Sequence, residues 1–443
     1  MTLDPDALER CLATLDAALR LGPSDPAAKQ VQARVAAFAK DEKKRRRRER
    51  RLVATREDRA VLDSCKGVRV TAPALEPPSR ELHRERTCIV CNCRFKVAHD
   101  HYPQHCARCG DVDRDKRDAR ADLTGRRALV TGGRIKIGFE LAKKLLRDGA
   151  HVTITTRFPR DAEARFRQEP DADTWFDRLE IAPIDLTDPA ALLAFIGDKR
   201  AAWPHLDILV NNAAQTVRRP ASFYAAWAAL ELEPRAEPRR STSLVIVDGL
   251  SRFYERAIVA RADDPGLIDH TRSDEEGLPL DLRRTNSWRL QAAAVSPAEL
   301  LEVLAVNTIA PFLLTTGLRP LLEQSPRADR YVIHAAAVEG QFYAPMKTTR
   351  HPHTNMAKAA LNMFTRTSSM EFARAGIFMT SVDTGWITNE NPLARRARHG
   401  EHGFRLPIDA VDGAARLYDP IVRGAFGERF HGVLLKDYVP AAW

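Results

Sequence analysis

The chain has 443 residues, room for two or three domains with at least one substantial core. Its 69 Lys and Arg against 59 Asp and Glu give a net charge of +10, which suits polyanionic partners such as nucleotides, nucleic acid or acidic surfaces. No apolar run reads as long enough to span a bilayer and Met1-Thr2-Leu3-Asp4-Pro5 is no basic-then-apolar leader, while seven cysteines, four of them in two Cys-x2-Cys pairs, argue against a disulfide framework and for a reducing, cytoplasmic setting.

Residues 5 to about 60 read as two helices. Leu8, Cys11, Leu12, Leu15, Ala18 and Leu19 form an apolar stripe, Gly22 to Pro26 breaks it, and a second helix starts near Ala27. The second helix carries the basic run Lys43-Lys44-Arg45-Arg46-Arg47-Arg48-Glu49-Arg50-Arg51. Since no aromatic residues interleave to stack on bases, a solvated helix face is the first reading and a nucleic-acid contact the weaker one. Residues 1–70 therefore form a helical hairpin with a basic run, followed by a proline-bearing linker from Thr71 to Ser79.

A cysteine module occupies residues 80–117. Cys88-x2-Cys91 and Cys106-x2-Cys109, with fourteen residues between the pairs, have the spacing at which two tight turns place four thiolates around one tetrahedral zinc. Cys93, His99, His101 and His105 lie inside the loop and can substitute for one thiolate. Four protein ligands leave no open position, so the zinc is expected to be structural.

Residues 122–443 alternate strand and helix, the pattern of an α/β domain with a doubly wound parallel sheet of Rossmann type. Strands are expected at Ala128–Val130, His151–Thr155, Leu179–Pro183, Asp207–Val210, Arg330–Ala335, Phe378–Val382 and Gly432–Leu435. Helices are expected near Gly138–Asp148, Pro189–Lys199, Pro297–Leu322, Thr354–Ala375 and Asp409–Val422. An arginine- and proline-rich insertion at about 216–296 interrupts the alternation and is expected to cap one end of the sheet.

The first strand runs straight into Thr131-Gly132-Gly133-Arg134-Ile135-Lys136-Ile137-Gly138, a turn that lets backbone N–H groups and a helix N-terminus approach a pyrophosphate. After the second strand comes Thr155-Thr156-Arg157, where an Asp would hold the ribose 2′-OH of NAD. Without that carboxylate a 2′-phosphate is not repelled, and the Arg157 guanidinium can bind it, with Arg134 as a second contact, so NADP(H) is the expected coenzyme.

Together with Asp185-Leu186 after the third strand, Asn211-Asn212-Ala213-Ala214 after the fourth, Asn307, and Lys358 in Asn355-Met356-Ala357-Lys358-Ala359-Ala360, these residues resemble the short-chain dehydrogenase/reductase family. The resemblance covers about Asp122 to Tyr438. It implies a coenzyme held by Thr131, Gly132, Lys136 (a glycine in the family), Ile137, Gly138, Asp185, Leu186, Asn212, Ala213, Ala214, Lys358 and the run Thr384, Gly385, Trp386. It also implies hydride transfer between nicotinamide and a small-molecule carbonyl or alcohol, a relay asparagine at Asn307, and a homodimer built on the two long helices.

The active site departs from the family. Thr354 stands where the catalytic Tyr belongs, four residues before Lys358, and the expected Ser falls within His334-Ala335-Ala336-Ala337. An aliphatic hydroxyl is far too basic to replace a phenol as acid. His334, Tyr343, His351 and His353 are the nearby candidates for a substitute donor. Two readings stay open: an oxidoreductase with an atypical proton donor, or a catalytically silent NADP-binding sensor or scaffold that engages a partner through its zinc module and basic helix.

Overall fold

The computed structural model describes residues 4–67, 79–234, 244–262, 266–343 and 347–443; residues 71–78 of the expected linker lie outside that set. The chain opens with α1 (Pro5–Leu19) and α2 (Pro26–Asp63). Each is started by an aspartate cap, Asp4 or Asp25, with proline in the first turn, where its missing N–H costs nothing. No residue of α1 is buried, and the basic run of α2 stands in solvent.

The cysteine module is a hairpin, β1 (Glu81–Thr87) with β2 (Arg94–Val97), followed by α3 (Ala107–Asp118). Leu82, Cys88, Phe95 and Ala98 share a small core with Val61 and Leu62 at the end of α2.

The remaining chain runs β3 (Arg127–Thr131), α4 (Lys136–Arg147), β4 (His151–Thr156), α5 (Pro159–Arg167), β5 (Leu179–Pro183), α6 (Pro189–Ala202) and β6 (Ile208–Asn211). The insertion supplies α7 (Ala225–Leu232), α8 (Leu244–Ala262) and a hairpin of β7 (Ile268–Ser273) with β8 (Pro279–Asp281). Then come α9 (Pro297–Leu304), α10 (Ala310–Gly317), α11 (Arg319–Glu323), β9 (Arg330–Ala336), α12 (Pro352–Arg374), β10 (Ile377–Asp383), α13 (Leu393–Glu401), α14 (Ala410–Ala425), β11 (Leu434–Lys436) and β12 (Val439–Ala441).

The large sheet has the order β12-β11-β10-β9-β6-β3-β4-β5 and is parallel except for β12. Its inner strands are covered on both faces, so Leu129, Val130, Ile208, Leu209, Val332 and Ile333 are fully buried and read as apolar runs rather than alternations. Leu192, Phe195, Leu314 and Phe372 build one core from α6, α10 and α12; Leu141, Leu145, Leu417 and Ile421 build the other from α4 and α14. The winding reverses between β3 and β6, which opens a crevice at the carboxyl ends of the strands.

Three expectations need correction. The segment expected as one helix from Pro297 to Leu322 is broken by a π-helical turn, Ala305–Ile309, and again at Leu318. Pro297–Gly317 also passes a length-and-hydropathy test for a membrane span, but it is a helix of the α/β domain, with Val303, Ala310 and Leu314 fully buried. The insertion does more than cap the sheet: Trp227, Leu250, Tyr254 and Ile268 join the core of α6. The sequence reading also passed over α5 and α13, too charged to show an apolar stripe, and β12, whose Pro440 is tolerated only because it lies on an edge.

Candidate functional site

The crevice is a cavity of about 800 Å³ that gathers most of the residues singled out from sequence. β3 enters the turn before α4, and a Cβ on Gly138 would stand 2.5 Å from the Asn212 Nδ2 and collide with the Gly132 carbonyl. Only glycine fits there. Lys136 takes a left-handed φ of 55°, a strain of roughly 1–2 kcal/mol, and its Nζ lies 3.9 Å from Glu390, another residue of the cavity wall.

The strand-end motif of β6 locks this turn. Asn212 Nδ2 donates to the carbonyls of Thr131 (3.0 Å) and Gly132 (3.3 Å), while the Ala213 N–H donates to Thr131 Oγ1 (2.9 Å). Asn211 Nδ2 lies 3.2 Å from both Thr315 Oγ1 and His334 Nδ1. His334 is fully buried, and desolvation, with the Lys358 charge, pushes its pKa down to about 3. It is a neutral packing residue and is not on the cavity wall.

At the end of β4 the two arginines have different fates. Arg157 lies over the rings of Tyr224 (4.6 Å), Phe253 (4.8 Å) and Phe158 (5.7 Å) and makes no ion pair among the described residues. Arg134 lines the cavity too, but its guanidinium is 2.5 Å from Asp161 and packs over Phe158 and Trp227. The expected second phosphate contact is therefore already neutralised, leaving Arg157 as the available cation. Asp185 Oδ1 accepts from both the N–H and the hydroxyl of Thr187 (2.9 Å each), and Leu186 lies beside it on the wall.

On the opposite side of the switch point, Asn307 sits in the π-helical turn. Its Oδ1 accepts from the Gln215 N–H (2.7 Å) and its Nδ2 donates to the Gln215 carbonyl (3.1 Å), which pins the loop after β6. Lys358 Nζ donates to the Ala335 carbonyl (2.6 Å), and burial pushes its pKa down to about 8. Thr354 Oγ1, one turn earlier on α12, is buried without a hydrogen-bond partner among the described residues, in a residue on the cavity wall. Tyr343 and His353 are not brought to this site. Tyr343 is 78% exposed, and His353 is buried against α9 with Nε2 3.4 Å from Glu299. His351, in a left-handed turn, stacks on Trp288 at 3.9 Å.

The Thr384-Gly385-Trp386 turn lines the cavity as expected. Gly385 has φ 80° and donates its N–H to Asp383 Oδ1 (2.9 Å); any Cβ there would strike Arg416. Arg416 is 2.9 Å from Asp437 and 3.6 Å from Asp113 of α3, and Asp113 is 2.8 Å from His105 Nε2. The cysteine module thus reaches the site, contributing Ile89, Val90 and His105 to the wall. Sequence reasoning offered His105 only as a substitute metal ligand and gave Ile89, Val90 and Asp383 no site role, because only tertiary packing brings these residues to the cavity.

The four thiols of Cys88, Cys91, Cys106 and Cys109 lie within 4.8 Å of one another without help from Cys93 or the loop histidines. A second convergence, His101 with Asp409 and Asp412, is filled by Arg117, which lies 2.7 and 2.8 Å from the two carboxylates.

A Gly turn at the winding reversal, an Asn-locked fourth inner strand and a lysine on the helix beyond β9 define a nucleotide-binding α/β protein. Residues 126–229 match the profile described as short chain dehydrogenase, and the chain belongs to the short-chain dehydrogenase/reductase family. It is 32% identical over 347 residues to an uncharacterised protein of Acanthamoeba polyphaga mimivirus, covering 76% of this chain and 71% of that one. A probable oxidoreductase of Streptomyces antibioticus is 46% identical over 92 residues, 21% of this chain and 30% of the relative's length. A solved short chain dehydrogenase from Burkholderia cenocepacia in complex with NADP aligns over 71% of this chain and 97% of its own, with 19% identity and a TM-score of 0.46.

Proposed function

We propose that this protein is an NADP-dependent oxidoreductase acting on a small carbonyl or alcohol substrate, with a proton donor other than tyrosine. The observation that carries the reading is Arg157, a cation with no carboxylate at ion-pair distance among the described residues, whose charge Asp185 and Glu302 favour only from farther away, at the ribose end of a cavity whose other end holds Lys358. When bound, the coenzyme supplies or accepts the hydride. Gly132, Lys136 and Gly138 would border its pyrophosphate, Arg157 would hold a 2′-phosphate, Lys358 the nicotinamide ribose, and Thr384 to Trp386 the carboxamide. The Thr354 hydroxyl, without a hydrogen-bond partner among the described residues, suits a hydrogen bond to substrate oxygen.

Arg157→Ala is expected to weaken NADPH binding by one to two orders of magnitude, in keeping with charge-assisted bonds worth about 1.5–3 kcal/mol, and to leave NADH binding nearly unchanged. Calorimetric titration with both coenzymes checks this, and equal losses for the two would refute the assignment.

We also infer a structural zinc on the four convergent thiols, since their mutual distances and the small core around them suit a metal-dependent fold. A second copy of the chain is the inferred partner. Met356, Met363 and Met370 on α12 and Leu301, Ile309 and Phe312 on the facing broken helix are all exposed apolar side chains.

A further inference from the structure

Resting on the coenzyme reading above, we propose that Asp383 is the proton donor that replaces the missing phenol, with Thr354 Oγ1 orienting the substrate oxygen. Asp383 ends β10 in register with Ala336 of β9, at the carboxyl edge where Lys358 grips the neighbouring Ala335 carbonyl. It is 5% exposed and lies on the cavity wall. One carboxyl oxygen accepts the Gly385 N–H; the other has no hydrogen-bond partner among the described residues.

The charged groups facing it are Lys358 from α12, Arg416 from α14, and Asp437 and Lys436 from the β11 turn. Burial outweighs the cations and holds the carboxyl above its ordinary range, which favours a protonated acid over a carboxylate. Raised carboxyl pKa values are a general way to run acid chemistry near neutrality. Glu339, also on the wall, is half-exposed.

In the reductive direction the substrate carbonyl carbon accepts a hydride from a reduced nicotinamide dinucleotide, and the C=O π pair moves onto oxygen. That oxygen forms its O–H bond with the Asp383 proton as the carboxyl O–H breaks. The carboxylate left behind faces Lys358 and Arg416 and regains a proton from water in the cavity.

The test uses the full, metal-replete chain and its Asp383→Asn and Thr354→Val variants. NADPH binding, read by quenching of the cavity-wall Trp386, should stay within about twofold in D383N, while turnover of an aldehyde, ketone and quinone panel falls about 10²–10⁴-fold. Wild-type turnover should decline as pH rises through the carboxyl's pKa; T354V should be slower with the same profile, and D383N should lose it. Infrared spectra of wild-type chain carrying ¹³C-labelled Asp should show a protonated carboxyl stretch at pH 6 that vanishes in alkali, a readout that needs no variant. Absence of that band, full activity of D383N, or a wild type that binds NADPH yet reduces nothing overturns the proposal. Failure to bind NADPH sinks the coenzyme reading instead, and the infrared band then still decides whether Asp383 holds a proton.

Discussion

Lys358 is a residue whose function and stability pull in opposite directions. Its ammonium is buried and held near pKa 8, against about 10.4 for a free lysine. The folded state therefore carries a penalty at every pH below about 8, and the penalty fades as pH rises from about 8 to about 10.4; stability from this residue increases with pH across that window. Lys358→Met is expected to raise stability at pH 7 by at most roughly 3 kcal/mol, partly offset by the orphaned Ala335 carbonyl, and to weaken NADPH binding at least tenfold. Urea unfolding of both proteins at pH 7 and pH 10, with a coenzyme titration, checks the pair of effects. A variant less stable than wild type at pH 7 would show that the ammonium is compensated in the empty cavity.

Among the elements, the broken helix between Pro297 and Glu323 matters most for the site. An unbroken α-helix would turn Asn307 away from the β6 loop, whereas the π-helical turn lets its amide bond both backbone groups of Gln215. Asn307→Ala removes both bonds next to a buried backbone, which should cost about 1–3 kcal/mol and loosen the loop that carries Asn212 and Ala213. Thermal unfolding together with hydrogen exchange at residues 211–216 tests this. Unchanged exchange there would mean that Thr131 and Asn212 suffice to hold the turn.

For the whole molecule, the cysteine module is joined to the nucleotide domain through buried charge. Arg117 bridges Asp409 and Asp412, Tyr102 donates to Asp412 (2.7 Å), and Lys116 pairs with Asp419 (2.6 Å), all on or just before α14. Removing Arg117 leaves two neighbouring carboxylates uncompensated, an error that costs about 3–5 kcal/mol when buried pairs are broken. Arg117→Met should lower the melting temperature, speed proteolysis within residues 79–118 and weaken NADPH binding, because Asp113 helps hold Arg416 against Gly385. Asp412→Asn added to it should recover part of the stability. If the single variant binds coenzyme as wild type does, the module is only a neighbour of the site.

How much of this was legible beforehand depends on the range of the interaction involved. Strands β3 to β6, β9 and β10, the Gly turn, Arg157, the Asn motif and Lys358 could be read from sequence because local apolar runs and short turn motifs specify them within a few residues. Arg134 could not be judged that way: Asp161 and the rings that occupy it come from elements folded back over the turn. Tyr343 and His353 stand near Lys358 in sequence, but α12 carries His353 to its far side and the preceding loop leaves Tyr343 in solvent. The sequence alone determined an α/β dinucleotide-type domain, a four-thiol module and the loss of the usual acid. Only the tertiary structure decided that the module forms part of the cavity wall and that Asp383 lies there beside Lys358. Strand register and the packing of α3 on α14 bring together side chains that lie hundreds of residues apart, and no local pattern encodes that.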